Sequence, residues 1–139
     1  MMRDIKYLVV HCSATPEGRP HTAADIRGWH KAMGWADIGY HWVVRLDGTV
    51  ESGRDELAIG SHVKGYNSHS IGIVYVGGID KVNFKPKDTR TKEQKAALLD
   101  LLKKLKRRYP KAVIQGHRDF PKVAKACPSF NAKAEYAGL

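Results

Sequence analysis

The sequence predicts an α/β fold, in which one domain has a central mixed β-sheet flanked by helices. Short apolar, β-branched runs alternate with stretches whose apolar residues recur at helical spacing, a pattern typical of α/β domains. One pair of runs is joined by Asp47-Gly48, a dipeptide typical of tight hairpins, so this pair is expected to be antiparallel. The length of 139 residues fits a single domain spanning 1–139.

Residues 5–10 form the first predicted strand, because they are a short apolar run rich in β-branched side chains. His11 and Cys12 follow it directly. Successive strand residues point to opposite faces, so a His11 that faces a functional site leaves Cys12 facing the interior. We therefore interpret Cys12 as a small core residue.

The first predicted helix begins after Thr22, which has Asp25 at capping-box spacing, and ends near Gly34. Its apolar face consists of residues at i, i+3, i+4 and i+7 spacing, namely Ile26, Trp29, His30 and Met33. We interpret His30 as a core histidine that is hydrogen-bonded to a neighbour, and not as a metal ligand.

The predicted hairpin joins a strand over residues 40–45 to a second strand over residues 49–51. Strand alternation divides the first of these strands into two faces. One face is expected to carry Tyr40, Trp42 and Val44, and the other His41 and Val43.

The second half of the chain begins with a predicted long loop over residues 54–67, which has no clear period; loops of this length are often functional. Residues 70–76 are another apolar strand. The longest helix is expected to start after Thr91, with Gln94 at capping-box spacing, and to end at Pro110. Its apolar stripe comprises Leu98, Leu101, Leu102, Leu105 and Tyr109.

The last predicted strand covers residues 112–115 and leads to His117. Asn131 is positioned to cap a short terminal helix. With these elements, strands and helices alternate over the whole chain, which supports the α/β prediction.

Positive charge is concentrated in one part of the chain. The formal net charge is +10, and residues 81–125 hold 15 of the 24 Lys and Arg residues but only 4 of the 14 Asp and Glu residues. This imbalance indicates either an anionic partner or a solvated, lysine-rich helix face, and charge alone does not distinguish the two.

Three further features limit the class of protein. No apolar run reaches the roughly 18 residues that a membrane span needs. The start, Met1-Met2-Arg3-Asp4, lacks the apolar core of a signal peptide, so we expect synthesis in the cytoplasm. The two cysteines, Cys12 and Cys127, are not expected to form a disulfide in that compartment.

Two histidines and one cysteine are candidates for a metal site. His11 and His117 each end an apolar run, and Cys127 stands before Pro128. Catalytic zinc takes about three nitrogen, sulfur or oxygen ligands and leaves one position for water, and these side chains meet that requirement. The alternative is nucleophilic catalysis, with Cys127 attacking and His117 as its base, although this leaves His11 without a role.

A set of short motifs resembles the zinc-dependent N-acetylmuramoyl-L-alanine amidases of the type-2 amidase and peptidoglycan-recognition superfamily. The resemblance runs in the same order along nearly the whole chain, from about residue 8 to residue 130. The motifs are residues 10–15 (VHCSAT), 39–41 (GYH), 47–50 (DGTV), 60–67 (GSHVKGYN), 70–73 (SIGI), 116–119 (GHRD) and 126–128 (ACP). The family fold, a mixed sheet flanked by helices, agrees with the prediction from periodicity.

The resemblance implies a metal site and a catalytic pair. The family's zinc ligands correspond to His11, His117 and Cys127, and its catalytic tyrosine to Tyr40. In the phage branch of the family a lysine two positions before the cysteine assists catalysis, and that lysine corresponds to Lys125.

The resemblance also implies a substrate-binding segment, on which His62 and Asn67 fall. The alternative for both residues is a hydrogen bond that holds the loop in place. The sequence leaves the two interpretations open.

The activity implied by the resemblance is hydrolysis of the amide between N-acetylmuramic acid and L-alanine in peptidoglycan, as in a phage or prophage endolysin with one zinc ion per chain. Zinc polarises the carbonyl and lowers the pKa of its water to about 7. Lys125 is then expected to stabilise the oxyanion, and Tyr40 to orient the water or donate a hydrogen bond.

Two other function classes stay open at this point. Superfamily members without the zinc cysteine bind muropeptides and do not cleave them; the presence of Cys127 and Tyr40 argues against this class. The other class is a regulator that binds a polymerase, such as a phage RNA polymerase, or a nucleic acid through the basic helix. We expect a monomer with peptidoglycan as its partner, no specific nucleic acid partner, and action on the cell wall after release.

Overall fold

The computed structural model describes residues 3–139; Met1 and Met2, which belong to the predicted domain of 1–139, lie outside the described residues. The strands are β1 (Tyr7–Cys12), β2 (Thr15–Pro16), β3 (Trp42–Val44), β4 (Val50–Ser52), β5 (Ser70–Tyr75), β6 (Gly78–Ile79) and β7 (Val113–Gly116). The helices are α1 (Ala23–Ala32), α2 (Lys92–Arg108) and α3 (Ala132–Glu135). Two short 3-10 turns cover Asn67–His69 and His117–Asp119.

The main sheet has five strands in the order β4-β3-β5-β1-β7. β1 lies parallel to β5 and β7, and β3 lies parallel to β5, whereas β3 and β4 form the antiparallel hairpin. The predicted mixed sheet with flanking helices is therefore confirmed. Strands β2 and β6 pair separately and in parallel beyond the end of β1.

The register of the central strands brings two histidines together. Val10 of β1 pairs with Gly116 of β7. His11 and His117 are the next residues after these two partners, so they lie side by side. Because the two strands are parallel, His11 near the end of β1 and His117 directly after β7 lie at the same end of the sheet. Carboxyl ends of parallel strands are the usual position of functional sites in α/β folds.

Side chains of β1 alternate between two sides of the sheet, as predicted. Leu8, Val10 and Cys12 belong to the core cluster that also contains the buried leucines of α2. Val9 packs on the other side in a smaller cluster with Val63 and Phe120. Cys12 is buried, which confirms its interpretation as a core residue, and β1 extends two residues past the predicted strand end to include both His11 and Cys12.

α2 forms as the sequence predicts. Thr91 and Gln94 make a reciprocal capping box, and Tyr109 follows the last helical residue. The capping box satisfies two backbone N–H groups that the first turn leaves without helical partners. The predicted leucine stripe is buried against the sheet: Leu98, Leu101, Leu102 and Leu105.

α1 differs from its prediction in which residues it buries. The capping box of Thr22 and Asp25 is present, and Ile26 is in the core, but Trp29 is 40% and Met33 is 60% exposed. Periodicity identifies the residues that share a helix face but does not say what covers that face. Here the sheet covers only the first half of the face.

The predicted faces of the strand beginning at Tyr40 are partly wrong. Trp42 and Val44 pack with the α2-side core, but Tyr40 packs with Val43 on the opposite side. The strand itself begins only at Trp42. The backbone bends at His41, and this bend breaks the alternation of side chains on which the prediction depended.

The described part of the chain, residues 3–139, contains no helix that is both long enough and apolar enough to cross a membrane.

Candidate active site

Three side chains from distant parts of the chain converge at the edge of the sheet. The ligand atoms of His11, His117 and Cys127 all lie within 4.8 Å of one another. The two imidazole ring centroids are 4.7 Å apart, and Cys127 Sγ is 3.8 Å from His11 Nδ1. Within residues 3–139, this is the one group of three His, Cys, Asp or Glu side chains close enough to share an ion.

The donor set fits zinc. Two imidazole nitrogens and one thiolate sulfur are ligand types that zinc takes in proteins, and three ligands leave a position open for water. His11 is buried at 1% exposure, whereas His117 and Cys127 are half-buried, so one side of the cluster is open to the solvent. The predicted metal ligands are thus brought together as a possible site.

Backbone contacts hold Cys127 against the sheet. The Arg118 N–H donates to the Cys127 carbonyl at 2.9 Å, and the Cys12 N–H donates to Cys127 Sγ at 3.2 Å. Cys127 and Pro128 are joined by a cis peptide bond. Pro128 approaches Gly116 so closely that a Cβ on Gly116 would lie 2.6 Å from Pro128 Cδ. Only glycine leaves room for the loop at this point.

The local environment keeps both histidines neutral. Burial, with smaller effects from His62 and His117, holds the pKa of His11 well below its usual value. Burial, and then the nearby charge of Lys125, lowers the pKa of His117. A neutral imidazole has a free lone pair on one nitrogen, which is the form that binds metal.

The two cysteines are free thiols and lie side by side, with the Cys12 N–H donating to Cys127 Sγ at 3.2 Å. The hydrogen bond from Cys127 lowers the pKa of the Cys12 thiol to about 7. The same hydrogen bond, together with burial, raises the pKa of Cys127. If Cys127 holds a metal cation, the cation would favour its thiolate form and so lower its pKa.

Tyr40 lies beside the histidines. Its ring centroid is 5.0 Å from that of His11, and the side chain lines the same cleft. Burial, with smaller effects from the two thiols, raises the pKa of Tyr40 above its usual value. The phenol therefore keeps its proton at neutral pH and can donate a hydrogen bond.

Lys125 is exposed and lines the cleft together with His117 and Cys127. Its position two residues before Cys127 puts an ammonium group at the rim of the cluster. A cation there can stabilise negative charge that develops on a bound molecule.

His62 and Asn67 both line the cleft, and both also hold the local structure. Asn67 Oδ1 accepts hydrogen bonds from the backbone N–H groups of His62 and Val63 at 2.9 and 2.8 Å. His62 Nδ1 is 2.8 Å from His11 Nε2. The loop-holding interpretation accounts for Asn67, whereas His62 contacts a predicted metal ligand directly.

The cleft itself has a volume of about 620 Å³. One wall contains His30, Met33 and Trp35, which the sequence analysis did not assign to the site. His30 Nδ1 accepts a hydrogen bond from the Gly39 N–H at 2.9 Å, which confirms the predicted bond to a neighbour. The predicted core position is wrong, because His30 is half-buried and lines the cleft. The sequence feature that could have indicated this wall is the apolar face of α1. That face continues to Met33, which is exposed and does not pack in the core.

Comparison with known proteins identifies relatives over most of the chain. The family model described as N-acetylmuramoyl-L-alanine amidase matches residues 1–130. The endolysin of Enterobacteria phage K11 is 52% identical over 122 residues, which cover 88% of this chain and 79% of that protein. The endolysin of Escherichia phage T7 is 47% identical over 131 residues, which cover 91% of this chain and 82% of that protein.

A solved structure with the same fold is that of the N-acetylmuramoyl-L-alanine amidase LysC from Clostridium intestinale URNW. It superposes with a TM-score of 0.79 at 30% sequence identity. The match covers 96% of this chain and 83% of that one. The two chains therefore share the same overall fold over nearly the whole of this chain.

Proposed function

This chain belongs to the N-acetylmuramoyl-L-alanine amidase family, and we propose that it hydrolyses the amide between N-acetylmuramic acid and L-alanine in peptidoglycan as a zinc-dependent endolysin. Water is the second reactant, and the products are a carboxylic acid and the free amino group of L-alanine. The observation that carries the zinc proposal is the convergence of His11, His117 and Cys127 within 4.8 Å at the edge of the sheet.

The three residues are suited to hold one zinc ion. When bound, the ion would supply a Lewis acid for the amide carbonyl and a water of lowered pKa, about 7. The lowered pKa values of His11 and His117 support this proposal, because both imidazoles are available without loss of a proton at neutral pH. Cys127 gives up its proton on binding the ion.

Tyr40 and Lys125 are the proposed catalytic residues. The phenol of Tyr40 keeps its proton, so we assign it the donation of a hydrogen bond to the reacting amide. The ammonium group of Lys125 lies at the cleft rim, where it would stabilise the negative charge that develops on the carbonyl oxygen.

The proposed amidase domain spans 1–139, beyond the residues that the family model matches. Ala132 and Tyr136 support the inclusion of the terminal segment, because both are buried in the main core cluster. Asn131 caps α3 by accepting a hydrogen bond from the Ala134 N–H at 3.1 Å. Removing α3 would therefore expose part of the core.

The test is digestion of purified cell walls. The wild-type enzyme should release new amino groups of L-alanine and no new reducing sugar ends, which distinguishes an amidase from a glycosidase. A chelator should abolish this release, and added zinc should restore it, because the chelator removes the ion from the ligands.

A Cys127→Ser variant should lose zinc and activity together, because it lacks the thiolate ligand. Metal content and amino-group release are measured on the same preparation. An active variant without metal would contradict the zinc mechanism and would favour a site that does not need Cys127 as a ligand. Release of reducing ends in place of amino groups would contradict the amidase activity itself.

A further inference from the structure

His62 lies behind His11 and is held on both sides. His62 Nδ1 is 2.8 Å from His11 Nε2, and His62 Nε2 is 3.2 Å from Ser70 Oγ. The two imidazole rings are nearly perpendicular, at 85°, with centroids 4.9 Å apart. The three side chains thus form a continuous hydrogen-bonded row, His11–His62–Ser70.

The surrounding backbone fixes the position of the His62 ring. The N–H of His62 donates to Asn67 Oδ1, which fixes the loop. A Cβ at Gly72 of β5 would lie 2.8 Å from the Cγ and Cδ2 atoms of His62. Only glycine at this position leaves space for the ring against the sheet.

The row is compatible with one arrangement of protons that leaves His11 ready to bind a metal. His11 Nδ1 is the nitrogen nearest to Cys127 Sγ, and a metal ligand must offer a lone pair there. The proton of His11 is then on Nε2, which donates to His62 Nδ1. His62 in turn carries its proton on Nε2 and donates to Ser70 Oγ.

We infer that His62 is a positioning residue that fixes the tautomer and the ring orientation of His11 for metal binding. Partners of this kind hold a ligand histidine in the correct tautomer, and their loss commonly weakens metal binding about 10- to 100-fold. His62 therefore acts through His11, and its substrate-binding role is not needed to explain its place in the cleft. The inference rests on the proposed zinc function.

The first experiment measures zinc affinity by competition with a chromophoric chelator. His62→Ala removes the acceptor for His11 Nε2, so we expect zinc affinity to fall about 10- to 100-fold. His62→Asn keeps an amide oxygen near the position of Nδ1 and should recover most of that loss. Circular dichroism of each variant verifies that the fold is retained.

The second experiment needs no zinc. Nitrogen-15 NMR of the metal-free protein reports which nitrogen of His11 is protonated. The wild type should show the Nε2–H tautomer, whereas His62→Ala should show a mixture or the Nδ1–H tautomer. Ser70→Ala serves if His62→Ala does not fold, because it removes the acceptor that fixes the tautomer of His62.

The two experiments separate the inference from the proposed function. An unchanged zinc affinity and an unchanged His11 tautomer in the His62 variants would overturn the inference. So would a His62→Ala enzyme that keeps zinc affinity but has a raised KM, since that result identifies a substrate contact. A wild-type protein with the expected tautomer but no zinc binding would instead overturn the zinc proposal.

Discussion

Tyr40 is the residue whose environment defines its chemical role most clearly. Its raised pKa rules out a phenolate base near neutral pH and leaves hydrogen-bond donation as its contribution. Tyr40→Phe removes the donor with little change in shape. We expect zinc content to be unchanged and turnover to fall about 100-fold or more, within the usual range for a catalytic acid or base.

The matched control for that substitution is Tyr7→Phe, because Tyr7 is a half-buried tyrosine of β1 that packs with Tyr66 and Phe120. Turnover of this control should stay near that of the wild type. Equal turnover of Tyr40→Phe and wild type would remove Tyr40 from the chemistry.

His41 is a buried histidine outside the proposed metal site, at 1% exposure. Its Nδ1 accepts from the Gly72 N–H at 3.0 Å, and its Nε2 donates to the Ala58 carbonyl at 2.8 Å. Burial lowers its pKa from 6.5 to about 4. The folded state therefore binds fewer protons than the unfolded state between these values.

The consequence is a fold that loses stability in acid. The contribution of His41 is fully present above pH 6.5 and is lost as the pH falls toward 4, a change of about 3 kcal/mol. Urea unfolding of the metal-free protein at several pH values measures this loss. His41→Asn should show a shallower pH dependence, and the exposed His69→Gln should not; identical slopes for His41→Asn and wild type would contradict the assignment.

At the scale of elements, Arg90 joins the start of α2 to the terminal segment. Its side chain is 2% exposed and pairs with Asp88 and Glu135, at 2.9 and 2.7 Å. The guanidinium also donates to the Tyr136 hydroxyl at 3.0 Å and lies 3.4 Å above the Phe130 ring. α3 is therefore attached by a charge network as well as by apolar packing.

Arg90→Met should destabilise the protein by about 2–4 kcal/mol. It leaves two carboxylates without their cation, but both are partly exposed, so water offsets some of the loss. Urea denaturation gives the change in free energy of unfolding. Arg107→Met, at an exposed position of α2, is the control and should change this free energy by less than about 0.5 kcal/mol. Equal stability of the two variants would contradict the role of the network.

The elements differ in how well the sequence predicts them. α2 has a capping box, a leucine stripe and a terminal proline that agree with one another, and it forms as predicted. Periodicity places Tyr40 on the wrong face, because the backbone bend at His41 has no signature in the spacing of the residues. α1 has the predicted capping box and spacing, but the structure leaves Trp29 and Met33 exposed.

The contacts of the candidate site also differ in how well the sequence predicts them. The motif resemblance predicts that His11, His117 and Cys127 lie together, and the structure places them within reach of one ion. The hydrogen bond between His11 and His62 joins residues 51 positions apart. Contacts of that kind depend on strand register and loop path, which local propensity does not contain.

For the whole molecule, the dominant long-range property is positive charge. Residues 81–125 carry most of it, and Lys95 and Lys103 of α2 are exposed. An anionic cell wall should attract this surface, and salt should weaken the attraction, since the Debye length falls from about 30 Å at 0.01 M to about 3 Å at 1 M. Sedimentation of Cys127→Ser protein with intact walls measures binding without digestion.

A double variant, Lys95→Glu with Lys103→Glu, should bind walls more weakly than a control of equal net charge. The control is Lys6→Glu with Arg19→Glu, both exposed and outside the basic region. Equal binding by the two double variants would mean that net charge, and not the α2 surface, governs the attraction.

The alternative function, regulation of a polymerase, predicts that Cys127→Ser retains its effect on the polymerase.

The order of the proposed metal ligands along the chain has a consequence for protein synthesis. His11 is synthesised early, whereas Cys127 is synthesised 116 residues later. β1 also cannot complete its pairing until both neighbouring strands, β5 and β7, have been synthesised. A nascent chain shorter than this has no complete ligand set. A chain in which Cys127 has not yet been made therefore lacks the proposed metal site, and the proposed zinc-dependent activity can arise only after the two distant segments meet.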